Sequence, residues 1–288
     1  MPEKIASSMA AKSKEASGDD QHNKSYSFGK GFLHSLGQVY QETFKSELPP
    51  AQLRQMEAEA LDIMQQLGDR TGSFSRAINF EFTAYMVAPY RILKASGTSV
   101  PQIRQLLEDA LQHTMAWASQ TVRKQLDSAP DAFESLVKES KDKERNFYVE
   151  PDFKLRRARD MPDSYSLEVH NCWYMNTLEK LGAREIGPSF CAFDRSWYAP
   201  IDPGRHGVKF TRPSTIAEGA DRCRFNIDRS LRHLTLLNSI LVLTLVRIVI
   251  EAVDSSWQVG LLPRSDETGL DWTPATQGHK IMIAERRR

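Results

Sequence analysis

Cysteine is scarce in this chain. There are three in 288 residues, and none forms a Cys-x-x-Cys pair. That excludes a disulfide framework and disfavours structural zinc, which draws paired ligands from short loops. A zinc set of Cys172, Cys191, Cys223 and His170 is conceivable but lacks that spacing. An odd cysteine number fits a reducing compartment, so a cytoplasmic setting is expected. Net charge is also nearly absent: 38 Lys and Arg stand against 37 Asp and Glu. No global field draws in nucleic acid or an anionic membrane. The chain has no glycine-rich phosphate loop, no G-x-S-x-G elbow and no His-Glu-x-x-His. Nucleotide-driven chemistry, lipase-type acyl transfer and zincin proteolysis are therefore disfavoured. The N-terminus lacks an apolar signal-peptide core, and residues 1–24 contain no aromatic residue. A disordered tail over 1–25 is expected, because such a composition cannot bury enough to order itself.

The first half carries helical periodicity. Phe28, Phe32, Leu36, Val39 and Tyr40 share one face, and Pro49-Pro50 closes that helix and opens the next. A second stripe runs from Leu53 to Leu67 and stops at Gly68. Ser73 is placed to cap a third helix reaching about Leu93, with Pro89 near its end. Ser99 and Gln102 form a capping-box pattern ahead of a fourth helix, which uses Ile103 to Val122. A fifth runs from Asp131 to about Lys143, with a charged end read as solvated. His34 and His113 lie on these helices without a nearby carboxylate or Cys in sequence, and read as structural or exposed.

Past Phe147 the pattern changes. Tyr165, Leu167 and Val169 alternate with polar residues, as in a half-buried strand. Cys172 to Leu181 reads as a short helix, and Pro188 opens another that puts Cys191 and Asp194 on one face. Two further strands follow at Val208–Arg212 and Arg222–Asp228. The expected fold is α+β: an N-terminal helical layer packed on a small, mostly antiparallel sheet, over 26–228. Residues 229–288 read as an atypical C-terminal extension. Within it, 234–250 is an apolar run interrupted by Asn238 and Arg247. A buried or peripheral helix ranks ahead of a mis-spliced gene model, and both rank ahead of a membrane anchor.

Cys191 with Asp194 is the sharpest local constellation, a thiol beside a carboxylate. The carboxylate raises the thiol's pKa unless a cation intervenes, and Arg195 or His170 is placed to supply one. The plainer alternative is a core Cys and a helix-associated Asp. Arg212 and Arg205 suit a bidentate grip on a substrate carboxylate, or else surface pairing with Asp202 or Glu218. Trp173, Tyr174, Trp197 and Tyr198 line a pocket or simply cover the sheet.

The spacing Cys172, Leu181-Gly182, Cys191, Asp194, Phe210-x-Arg212, Thr215, Gly219, Cys223 and Phe225 resembles the L-2-amino-thiazoline-4-carboxylic acid hydrolase family. The likeness spans about 28–228. It implies a small-molecule enzyme, with ring-opening hydrolysis of a C–N or C–S bond in the namesake. Some fungal relatives look like components of natural-product pathways, and one reading of the resemblance is a closer likeness of this chain to the Diels–Alder cyclase of a sordarin-type diterpene pathway. Where the family has Cys-Asp-Phe, this chain has Cys223-Arg224-Phe225. If Arg224 faces the pocket, ring hydrolysis is disfavoured. The ranking from sequence is therefore a cofactor-independent intramolecular [4+2] cyclisation first, hydrolysis second and a non-catalytic binding module third. Catalysis is expected from Cys191, Asp194, Arg212 and His170, and substrate contacts from Trp173, Tyr174, Trp197, Tyr198, Thr215 and Cys223. Neither a metal nor a cofactor is called for.

Overall fold

In the computed structural model, the described residues are 28–68, 74–230, 244 and 247. The chain divides into two compact units, Met1–Leu236 and Leu237–Arg288. Of the second, only Thr244 and Arg247 are described, and both are helical. The expected N-terminal tail, the Ser73 cap and nearly all of 234–250 lie outside the described residues. Among the described residues no helix is long and apolar enough to cross a membrane.

The first unit opens with helices α1 (Phe28–Phe44), α2 (Pro50–Gln66), α3 (Phe74–Ala95), α4 (Val100–Thr114), α5 (Ala116–Ser128) and α6 (Ala132–Asn146). At the start of α4 the Gln102 side chain accepts the Ser99 N–H at 3.3 Å, the reach-back half of the capping box. The single fourth helix expected from periodicity is two helices, broken at Met115 (φ −98°, ψ 7°). Thr114 supplies a cause. Its hydroxyl bonds back to the Ala110 carbonyl at 2.8 Å, a habit that bends helices. The same hydroxyl meets Ser35 Oγ at 3.0 Å, tying the break to α1. Asp131 caps α6 by accepting the Glu134 N–H at 3.1 Å.

Gly29 lets α1 approach α3. A Cβ built there would lie 2.3 Å from the Tyr85 ring. Gly29→Ala should therefore cost about 1–3 kcal/mol through overpacking, read as a lower urea midpoint with unchanged m.

Four antiparallel strands follow in the order β1-β2-β4-β3: β1 (Phe153–Asp160), β2 (Ser164–Cys172), β3 (Val208–Ser214) and β4 (Cys223–Arg229). Strand β1 escaped the sequence reading. It lies at the sheet edge and is mostly exposed, so its charged run Lys-Leu-Arg-Arg-Ala-Arg shows no clear alternation of burial. Short helices α7 (Trp173–Lys180), α8 (Gly187–Cys191), α9 (Arg195–Tyr198) and α10 (Pro203–His206) connect β2 to β3. The fold is α+β, mostly helical, with its long helices N-terminal to the sheet.

Register sorts the two faces of the sheet. Tyr165 pairs with Ile227, Leu167 with Phe225 and Val169 with Cys223, which gives one apolar face. Ser166 opposite Asn226 and Glu168 opposite Arg224 give the other. Two apolar cores result. One joins α1–α4 to α7 and α8, and the other joins α5 and α6 to the sheet's apolar face.

Candidate active site

The partly buried residues that border both cores define the place of interest. Cys172, Tyr174 and Phe193 pack on the first core, while Trp197, Phe210 and Phe225 pack on the second. Asp194 stands between these groups. It arrives on a run of short helical turns, α8, a 3-10 turn over Ala192–Asp194 and then α9. Its Oδ2 accepts from Arg212 Nη1 at 2.7 Å and its Oδ1 from Trp197 Nε1 at 3.1 Å. The same Arg212 nitrogen donates to the Cys191 carbonyl at 3.1 Å. Tyr198 and Phe225 lie 5.6 and 5.8 Å from the guanidinium carbon, and Tyr198 stacks on Phe210. Cys223 accepts the Ile216 N–H at its sulfur, at 3.2 Å.

Two residues missed in the sequence complete the group. Lys143 places its ammonium 5.4 Å from the Trp197 ring centre. Tyr148 packs edge-on against Phe153. The charged end of α6 is solvated at Arg145 and Asn146, as expected, but Lys143 is turned inward. Lys143 follows Leu136 by seven residues, two helical turns, and so continues the buried stripe. That spacing was the available signal, and the surrounding charges hid it.

Proton affinities bind the group together. Burial pushes the Asp194 carboxyl up, against the pull of Arg212, the Trp197 hydrogen bond and Lys143. Burial and then Asp194 push the Cys191 thiol up, against Arg212. Burial raises Cys172 to about 11. Cys223, Tyr148 and Tyr174 are raised too, each by burial first, with the Asp194 charge adding to it. Burial lowers Lys143, while Glu139 and Asp194 oppose that shift. At neutral pH the thiols and phenols here are proton donors. Asp194, Lys143, Tyr148, Tyr174, Cys172 and Cys191 each keep part of their surface open. Yet desolvation dominates all six. We take this group of half-buried, desolvated side chains around one carboxylate as the candidate recess.

Other sequence candidates fall elsewhere. His170 is on the opposite face of the sheet, with Nε2 3.0 Å from Glu168. Side-chain alternation along β2 puts it there, so neither it nor Arg195 is the cation beside Cys191. Arg195 pairs with Glu108 at 3.5 Å, and Arg212 takes the cationic place. Arg205 pairs with Asp127 at 2.7 Å. Thr215 caps the turn over Ile216–Glu218 by accepting the Glu218 N–H. Trp173 stacks on Phe80, and Tyr174 donates to Asn79 at 2.6 Å. Among the described residues no three His, Cys, Asp or Glu side chains gather as a metal site.

Arg224 also lies on that outer face, 47% exposed, with Nε 3.4 Å from Glu168. Burial alone would raise the Glu168 carboxyl, but His170, Arg156 and Arg222 outweigh it and bring it down to about 2. Arg224 therefore does not disfavour ring hydrolysis, because the strand turns it to the outer face. Arg224→Ala should change catalytic efficiency by less than about twofold, as expected of an exposed pair whose carboxylate keeps other partners.

The model of the L-2-amino-thiazoline-4-carboxylic acid hydrolase family matches residues 78–227, just over half of the chain. The chain belongs to this family. The matched span holds every residue of the recess named above, Lys143 and Tyr148 included. None of the curated proteins matches the chain. Two solved structures of an Fe(II) unliganded H-NOX protein from K. algicida show similarity, one of them a point mutant. Each is 13% identical with a TM-score of 0.28, covering 70% or 69% of this chain and 96% of its own.

Proposed function

We propose that this hydrolase-family chain opens a C–N bond of a small cyclic substrate held in the recess, with Asp194 as general acid and base. One observation carries the reading. Asp194 is a carboxylate of raised proton affinity, held from two sides, towards which the recess's other proton-bearing groups are electrostatically coupled. A base poised upward from the ordinary carboxylate range can take a proton nearer neutral pH. Water attacks the ring carbon and Asp194 takes its proton. The ring C–N bond breaks, and Asp194 returns the proton to the departing nitrogen. Arg212 stabilises the anionic form of Asp194 before and after the transfer, and Trp197 fixes its orientation. The protonated thiol of Cys191 is a donor for a developing negative charge.

A second reading rests on a different observation. Tyr198, Trp197, Phe210 and Phe225 form one aromatic cluster beside Arg212 and Asp194, and burial keeps the Cys191 thiol and the Tyr148 phenol protonated. Aromatic walls and neutral donors suit a cofactor-independent [4+2] cyclisation, as in a natural-product pathway. There the protein folds an apolar substrate and polarises a carbonyl. With Arg224 outside the recess, nothing in the charge pattern now ranks this first. The test is to incubate the purified chain with 2-amino-thiazoline-4-carboxylate and, separately, with an apolar diene aldehyde. Ring opening of the first supports the proposal. Cyclisation of the second alone reverses the order. Tight binding of either without turnover makes the chain a binding module.

A further inference from the structure

Among the described residues, the Lys143 ammonium donates no hydrogen bond and has no carboxylate within ion-pair distance. Asp194 and Glu139 act on it only at longer range. What it does meet is the face of Trp197, the side chain that also donates to Asp194. An ammonium has three donors, and a half-buried one that finds no protein acceptor leaves them to solvent or to a ligand. Arg212 differs in that its charge is already paired with Asp194, through the same Nη1 that donates to the Cys191 carbonyl, although its Nε and Nη2 carry no hydrogen bond among the described residues. Among the described residues, Arg212 is thus a cation with a carboxylate partner and Lys143 a cation without one.

We infer that Lys143 binds the carboxylate of the substrate, so that the recess takes small heterocyclic carboxylic acids with the carboxylate over Trp197 and the ring towards Asp194. This rests on the proposed function for the identity of the ring, and on Lys143's own surroundings for the anion. Depression of the lysine by burial agrees with it, since an arriving anion would restore the charged form. Lysine is a point charge on a flexible stem, so an arginine in its place keeps the anion contact while removing any nucleophilic amine.

The test is calorimetric binding of 2-amino-thiazoline-4-carboxylate and of its carboxamide to wild type, K143M and K143R, with turnover followed separately. Wild type should bind the carboxylate about 10- to 100-fold more tightly than the carboxamide. K143M should lose that preference, and K143R should keep most of it. KM should rise in K143M more than kcat falls. K143M should unfold at no lower a temperature than wild type, since it removes a half-buried charge that has no carboxylate partner among the described residues. If it fails to fold, K143Q replaces it against K143R. Equal affinity for both probes in wild type, or no affinity for either, overturns the inference. So does a K143M that keeps the preference, or a borohydride-trapped adduct on Lys143, which would make it a nucleophile. Lys143-dependent carboxylate binding without turnover keeps this inference and removes the hydrolase reading. Turnover that ignores Lys143 does the reverse.

Discussion

Asp194→Asn lowers kcat by about 10²- to 10⁴-fold, the usual worth of a general acid–base group. Asparagine keeps the size but accepts at one position only, so it keeps the bond from Trp197 or from Arg212 and not both, and a thermal melt separates that structural loss from the chemical one. The amide neither takes nor returns a proton. The pH profile of the unsubstituted chain carries the companion signal. Because burial raises the Asp194 carboxyl, the acid limb of kcat/KM should fall above the ordinary carboxylate range. The sign for stability runs the same way. A carboxyl whose folded pKa is raised favours the folded state at low pH, and that contribution is lost as pH rises through the folded value. A D194N profile that keeps both the rate and the acid limb would remove Asp194 from the chemistry. Loss of rate with an unchanged acid limb would make Asp194 a positioning residue for some other titrating group.

The helices were legible because their burial repeats with the helical period. Phe32, Leu36, Met56, Ile63 and Leu107 all reached the core their spacing implied. The α4–α5 break was not legible, since it depends on one threonine bonding backwards and to another helix. Asp194 and Cys191 could be placed on one face from sequence, yet their cation could not. Arg212 comes from β3, 18 residues beyond Asp194, and only the sheet brings it back. His170 shows the opposite failure. It was read as a cation for Cys191, but it shares the outer face with Glu168, and only the irregularity in the β1–β2 register just beyond it returns Cys172 to the other side. Arg224 was undecidable until the register was known, because a shift of one residue would have turned it inward.

Arg212→Ala should destabilise the fold by about 3 kcal/mol or more, in the range for removing one partner of a buried ion pair. The side chains of Arg212 and Asp194 are 16% and 21% exposed, so water compensates little when one is removed. Three losses coincide. Asp194 keeps a charge with only Trp197 to satisfy it, the Cys191 carbonyl loses its donor, and Tyr198 and Phe225 lose the guanidinium beside them. The chain's escape is protonation, so the Arg212→Ala variant should recover stability as pH falls through the further-raised Asp194 pKa. Adding Asp194→Leu should restore much of the loss, because replacing both partners leaves no orphaned charge. Denaturant melts of the two single variants and the double variant close that cycle. Strict additivity would mean that the pair is not coupled and that Arg212 acts through packing alone. Strong coupling would show that this arginine is what lets the recess keep a charged Asp194 so far from water, and the proposed proton chemistry depends on that carboxylate.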